Sequence, residues 1–402
     1  MKTNPGFNTL YQWLTSAAAD DLVISGSATP GLSLDEIIKL SKDPERTREA
    51  FKFNHLNFNL GSAQGSLELR ESIIANYDAS SHLQPQDIVV TNGTTGANHI
   101  VHQSLLKAGD HIICQYPIYG PCIEEPEYIG CHISYLQLKA EDGWRLDLQE
   151  LESLIRPGET KLLMINNPAN PTGTHFTTKL LTGIVTLCKK YDIVLHCDEI
   201  FRPLFHTDDI PVSAIELHHL GYDKVIVTAS LSKSLGLSSV RIGWIASRSP
   251  ELIFTFKSYR AMSVSSTSLI DECIATEVLS PRCRPGILAK HLGMARTNIA
   301  LLQAFIDKNK DFCDWVPPTA GAVGFVRFKD PKTGAPFDDV SFCKELADSK
   351  KVVLAPATFC FEFGEKRNVF KGRVRMHFTT TTEKVQKGLA LIDEFLEEKR
   401  KE

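Results

Sequence analysis

The chain has 402 residues, 43% of them hydrophobic, and its 44 Lys and Arg against 48 Asp and Glu leave a formal charge of -4. That balance argues against a nucleic-acid partner and against electrostatic attachment to an anionic membrane, and no apolar stretch has the length needed to span a bilayer. The apolar content suffices for one large core with a smaller one appended.

The start, MKTNPGFNTLYQWL, lacks the long apolar segment of a signal peptide, so the expectation is a cytoplasmic protein. Residues 1–45 hold a short amphipathic segment around Tyr11–Ala19. The Gly-, Ser- and Pro-containing stretch Ser25–Ser33 comes next and predicts an irregular arm, one that packs with the smaller domain. Residues 46–284 read as a large domain in which helical patterns alternate with short, almost wholly apolar strands. The strands are Ile88–Thr91, Ile112–Gln115, Ile133–Leu138, Leu162–Ile165, Ile193–Cys197, Val225–Thr228 and Ile242–Ala246, and Leu67–Tyr77 and Leu180–Tyr191 are the clearest helices between them. Strands apolar on both faces belong in a sheet covered on both sides. The fold class is therefore α/β, a three-layer sandwich around a mainly parallel seven-stranded sheet. The pattern changes over residues 285–402: a helix from Pro285 to Lys308, a strand at Gly324–Phe328, a helix near Val340–Ser349, a strand at Arg373–His377 and a charged amphipathic helix from Thr381 to Lys399. This is a smaller α+β domain. Ten cysteines run from Cys114 to Cys360 with mostly apolar neighbours and no tight pairing, which predicts buried free thiols in a reducing compartment and no metal cluster.

Three segments carry chemistry. Ser230-Leu231-Ser232-Lys233-Ser234-Leu235-Gly236 comes after an apolar strand, and Arg241 stands eight residues beyond the lysine. A lysine there reaches the carboxyl edge of the sheet, where open α/β folds bind ligands. The hydroxyls and the arginine suit a phosphate, and the amine suits a bond to an aldehyde. Alone, the segment is also that of a surface lysine beside a salt-bridging arginine. Asn166-Asn167-Pro168-Ala169-Asn170-Pro171-Thr172-Gly173 makes a stiff turn that either presents the Asn170 amide to a ligand or is plain structure. Asp198, at the end of a buried strand, needs a cation or donor: a protonated ring nitrogen, a helix terminus or an internal ion pair.

The order Asn170, Asp198, Lys233, Arg241 resembles that of fold-type-I enzymes using pyridoxal 5'-phosphate (PLP), in the class I/II aminotransferase family, and the resemblance runs over nearly the whole chain. It implies a Schiff base between Lys233 and the cofactor, with the same lysine moving the substrate's proton. Asp198 would pair with the pyridine nitrogen and keep it protonated, and Asn170 would bond the phenolic oxygen and border the substrate. Ser230, Ser232 and Arg241 would bind phosphate with Gly93-Thr94-Thr95, whose helix start suits an anion. Tyr119 matches the aromatic that stacks on the ring, although alone it could be core packing. Arg375 matches the arginine that clamps the substrate carboxylate; Arg373 is its rival, and the family phasing to Phe378 favours Arg375. Gly26 and Ser27 fall where relatives touch substrate. Ser265-Ser266-Thr267 falls where relatives reach across a dimer interface, which implies a homodimer with shared sites.

Two positions depart from the family pattern. Phe201 stands where a tyrosine is common three residues after the aspartate, and Leu60 where a tyrosine commonly reaches the partner's phosphate site. Neither removes PLP binding, but both bear on the fate of an amino acid once it is joined to the cofactor. The leading expectation is transfer of an amino group from an L-amino acid to a 2-oxo acid. The alternatives are a lyase, a cyclase or an oxygen-using oxidase, since Asp198–His206 also resembles a subgroup with capreomycidine-synthase-like enzymes. A silent binding module is the remaining class, and the presence of both Lys233 and Asp198 counts against it. Arg202 and His206 are expected to be structural supports.

Overall fold

All seven apolar runs become strands of one sheet in the computed structural model, which describes residues 9–364 and 368–401. The first eight residues of the expected arm lie outside the described residues. The strands are β1 (Ile88–Asn92), β2 (His111–Tyr116), β3 (His132–Gln137), β4 (Thr160–Asn166), β5 (Val194–Asp198), β6 (Val225–Ser230) and β7 (Ile242–Ser247). They lie in the order β1-β7-β6-β5-β4-β2-β3. Pairing is parallel from β3 through β6, and only β7 runs against its two neighbours. Strands β2, β6 and β7 are buried along their whole length, as a sheet with helices on its faces requires. β3 differs from the sequence expectation. It is half-exposed, with His132 open and Leu136 buried, because it forms the edge and has a single neighbour.

Among the covering helices are α1 (Gly93–Leu105) and α2 (Thr178–Tyr191). α2 starts at Thr177, whose hydroxyl accepts the Leu180 N–H, and ends at Asp192 in the left-handed conformation. Three helices carry weak sequence signals: Pro121–Ile129, Pro250–Ser263 and Leu269–Leu279. In the second of these Leu252 and Phe256 are buried while Phe254 and Met262 are exposed, so apolar residues on several faces blur the helical period.

A second, antiparallel sheet is built from β8 (Cys313–Trp315), β9 (Val323–Phe328), β10 (Ala355–Pro356) and β11 (Arg373–His377), in the order β10-β11-β9-β8. β9 and β11 are legible in the sequence. β8 and β10 are too short to show a two-residue period. The long helix α3 (Arg284–Lys308) joins the halves: Ile287 and Leu288 belong to the core of the large sheet, Leu302, Phe305 and Ile306 to the other core. That second core also takes in Phe328, Phe342 and Phe395, the last from α4 (Thr382–Lys401). The arm crosses between the halves. Leu10 packs into the large core, Leu22–Val23 pairs in parallel with Val352–Val353, and Ile24 enters the second core. The ten cysteines are free. Among the described residues no helix is long and apolar enough to cross a membrane.

Candidate active site

Parallel strands all end at one edge, so chain segments distant in sequence meet there. The segments after β4, β5 and β6 and the start of α1 converge on a cavity of about 170 Å³. Asp198, the last residue of β5, is buried at its floor. Its Oδ2 accepts from Asn98 Nδ2 at 3.1 Å and its Oδ1 from the Ile200 N–H at 3.0 Å. Burial pushes the carboxyl up to about 6, against the hydrogen bonds from Asn98 and Ile200. The Thr228 hydroxyl donates to Asn98 Oδ1 at 2.8 Å, which turns the amide NH2 toward Asp198. Asn98 is absent from the sequence expectations, yet a signal exists, since it sits one helical turn beyond Thr94 on α1.

After β4 the chain turns through cis peptide bonds at Asn167–Pro168 and Asn170–Pro171. The Asn166 side chain fastens the turn: its Oδ1 accepts the Asn170 N–H and its Nδ2 donates to the Asp198 carbonyl, both at 2.8 Å. This brings the Asn170 side chain to the cavity wall. Lys233 lies opposite. Its Nζ donates to Ser27 Oγ at 3.1 Å, and its carbonyl accepts from Thr29 Oγ1 at 2.8 Å. Burial lowers the amine to about 8, with Arg375 and Arg241 pushing the same way and Asp198 opposing them.

Thr94, Thr95, Ser232, Ser238 and Arg241 border the other end of the cavity. Thr94 Oγ1 is buried with no hydrogen-bond partner among the described residues, so a hydroxyl waits there for an acceptor. Arg241, at φ 54°, donates from Nη1 to the Ser238 carbonyl at 2.7 Å. Gly93 lets it come close: at φ +70° a Cβ there would lie 2.5 Å from Arg241 Nη2. Gly243 closes in from behind, where a Cβ would meet the Gly93 carbonyl carbon at 2.5 Å.

Ser230 takes a different place from its expected one. Its hydroxyl accepts the Ser232 N–H at 3.2 Å, and the residue borders a separate cavity with Tyr77, Trp244 and Arg284. Ser238 borders the cavity beside Arg241 in its stead, because the loop curls back: Leu237 N–H bonds the Leu231 carbonyl and Ser238 Oγ donates to the Ser232 carbonyl. Strand alternation does not extend into such a loop. Tyr119 is half-buried, desolvation raises its phenol to about 12, and it borders both this cavity and the adjoining cleft. Phe201 fills its position with a bare ring.

The cleft opens from Lys233 toward the second sheet, where Arg375 lies in the middle of β11. Arg375 is fully buried. Its Nε donates to the Ser25 carbonyl at 3.0 Å, its Nη1 to Asn170 Oδ1 at 3.2 Å, and its plane sits 5.4 Å over the Phe361 ring. Burial brings the guanidinium down to about 10. Arg373 is elsewhere, stacked 4.9 Å over Trp144 and bordering a different cavity. Arg202 donates to the Pro211 carbonyl and His206 contacts the Gly321 carbonyl at 2.8 Å each, and neither borders the cavity or the cleft.

The family model for class I and II aminotransferases matches residues 27–392. The chain belongs to that family. This aminotransferase is 26% identical to the aspartate aminotransferase of Thermotoga maritima over 342 residues, 83% of this chain and 82% of the relative. A PLP-dependent aminotransferase from Streptococcus suis superposes with a TM-score of 0.86 at 28% identity, covering 99% of both chains. The PLP-dependent cyclase OrfR shares the fold at a TM-score of 0.84, with 23% identity over 99% of this chain and 100% of its own. The aminotransferase is a PLP-dependent enzyme, and its cavity suits that cofactor. A buried carboxylate, a lysine of lowered basicity, and an arginine beside an unpartnered buried hydroxyl are the chemistry that a pyridine nitrogen, an aldehyde and a phosphate require.

Proposed function

We propose that this enzyme moves the α-amino group of an L-amino acid to a 2-oxo acid, with Lys233 as the covalent anchor. The observation that carries this reading is the placement of Lys233 Nζ. It is half-buried, lowered to about 8, and borders both the Asp198 cavity and the cleft holding Arg375. When bound, PLP supplies an electron sink that acidifies the substrate's α-proton. Asp198 would hold the proton on its ring nitrogen, Asn170 its phenolic oxygen, and Thr94, Thr95, Ser232 and Arg241 its phosphate. Arg375 orients the substrate by its carboxylate, the bidentate geometry for which arginine is suited. Lys233 Nζ removes the α-proton and redelivers it, a task that needs an amine basic enough to accept and able to be neutral near physiological pH.

Phe201 favours a second reading. Without a hydroxyl at that position the phenolic oxygen has one donor fewer, and a lyase, cyclase or oxidase outcome becomes chemically open; the likeness to the cyclase OrfR is in keeping with it. A panel of amino acids offered to the PLP-loaded protein, with and without a 2-oxo acid, in air and without oxygen, tests both. Amino transfer that requires the acceptor is the expected result. Conversion without an acceptor defeats it, and dependence on oxygen then separates oxidase from lyase or cyclase.

The working form in this proposal is a cytoplasmic homodimer. Phe58, Leu60 and Met262 are 74%, 79% and 80% exposed, an apolar excess that a second copy would cover. The Gly61 backbone beside Leu60 abuts Ser266, in the segment expected at the interface.

A further inference from the structure

We propose that Lys384 selects the substrate: it binds a second anionic group at the far end of the amino-acid side chain. This rests on the aminotransferase reading above and names the substrate class for that cleft.

Three cations border the cleft, Lys233, Arg375 and Lys384, and no carboxylate does so among the described residues. The first two have tasks. Lys233 is hydrogen-bonded to Ser27 and faces the cofactor cavity, and Arg375 is fixed by the Ser25 carbonyl and Asn170. The Lys384 ammonium has neither a hydrogen bond nor an ion pair among the described residues, although its backbone N–H bonds Thr381 Oγ1 in the first turn of α4. The Thr380 and Thr381 residues beside it complete a polar end to the cleft.

Between the two ends stands His377. Arg375 and His377 are alternate residues of β11 and share its cleft-facing side, with His377 roughly 6.6 Å further along the strand. Burial, then the charges of Arg375, Lys233 and Lys384, lower the imidazole to about 3, so it stays neutral while the three cations surround it. Leu10, Leu14 and Val23 give the cleft an apolar part of its lining. A ligand that matches this sequence of surfaces has an α-carboxylate at Arg375, a methylene stem against Leu10 and Leu14, and an anion at Lys384. Glutamate and its longer homologue 2-aminoadipate carry the two anions and the apolar stem that this lining calls for. A side chain ending in an ammonium meets a like charge and is refused.

The test uses the PLP-loaded full chain with glutamate, 2-aminoadipate, the neutral norvaline and the cationic ornithine as donors, and glutarate as a ligand that cannot react. Lys384→Ala should lower kcat/KM for glutamate and 2-aminoadipate about tenfold through KM, leave norvaline unchanged, and weaken glutarate in calorimetry by the same factor. Lys384→Glu should shift preference toward ornithine. Lys387→Ala, at a lysine of α4 that is exposed as Lys384 is but does not border the cleft, should match wild type in every assay. The proposal is overturned when the glutamate-to-norvaline ratio and glutarate affinity are the same in wild type and Lys384→Ala. Amino transfer that persists in that case leaves the enzyme reading intact. Absence of transfer from every donor with Lys384-dependent glutarate binding retained removes that reading and keeps the anion site.

Discussion

The two sheets contribute to the site in different ways. The parallel sheet delivers residues from strand ends: the Asn166–Asn170 turn, Asp198 and the Lys233 loop all lie at or just past a carboxyl terminus, because parallel strands finish together. The antiparallel sheet has no such shared edge. It presents residues from the side of one strand, Arg375 and His377 two positions apart on β11. The first arrangement gathers chemically unlike groups around one molecule. The second sets like-facing groups in a row along an extended one. A cofactor suits the first and a side chain of variable length the second.

Substitutions can separate the two contributions. The largest effect is expected on the parallel side. Lys233→Ala should abolish borohydride-fixed attachment of PLP, read by peptide mass, and reduce amino transfer by several orders of magnitude. Recovery of the label on another lysine would reassign the anchor. Asp198→Asn should weaken PLP binding strongly and also reshape stability in the cofactor-free protein. The folded carboxyl is raised from 3.8 to about 6, so its contribution is complete below 3.8 and is lost as pH rises through 6. The melting curves of wild type and Asp198→Asn should therefore lie close below pH 3.8, separate as pH rises from 3.8 to 6 and stay apart above that, the variant gaining up to about 3 kcal/mol. Parallel curves across that range would show that burial does not tax this carboxylate.

On the antiparallel side Arg375→Lys keeps charge but loses the fork, and kcat/KM for amino acids should fall about a hundredfold while PLP affinity holds. An equal loss of PLP would erase the distinction between the sheets. The smallest change is expected from Phe201→Tyr, which adds one hydroxyl at the cofactor cavity: transfer should alter less than about tenfold, with the cofactor's visible absorbance titrating at lower pH. A product that changes from acceptor-independent to acceptor-dependent in this variant would make Phe201 the determinant of reaction outcome.

The same contrast explains what could be read without coordinates. Strand-end residues announce themselves, because an apolar run that stops at Asp198 or just before Lys233 marks the edge of the sheet. Arg375 stood out only beside Arg373, and alternation alone could not choose between them; Trp144 and Phe325, far away in sequence, hold Arg373 aside. Ser238 reaches the Arg241 end of the cavity through a loop closed by hydrogen bonds within itself, for which no periodic signal exists. Asn98 was hidden in a helix whose apolar neighbours Ala97, Ile100 and Val101 dominate the pattern. Lys384 reads in sequence as one more charge on an amphipathic helix, and only the cleft beside it distinguishes it from Lys387.

The arm touches both ends of this arrangement within three residues, with the Ser25 carbonyl on Arg375 and the Ser27 hydroxyl on Lys233. It thereby fixes how far the Arg375 guanidinium stands from the Lys233 amine. A substrate held by its carboxylate at Arg375 and by its nitrogen at the cofactor has two of the four bonds of its α-carbon committed. On the reading proposed above, the cleft toward His377 and Lys384 would take the third, the side chain. The fourth bond, to hydrogen, then points to Lys233 in one mirror form and away from it in the other, so the spacing set by the arm becomes a reading of handedness.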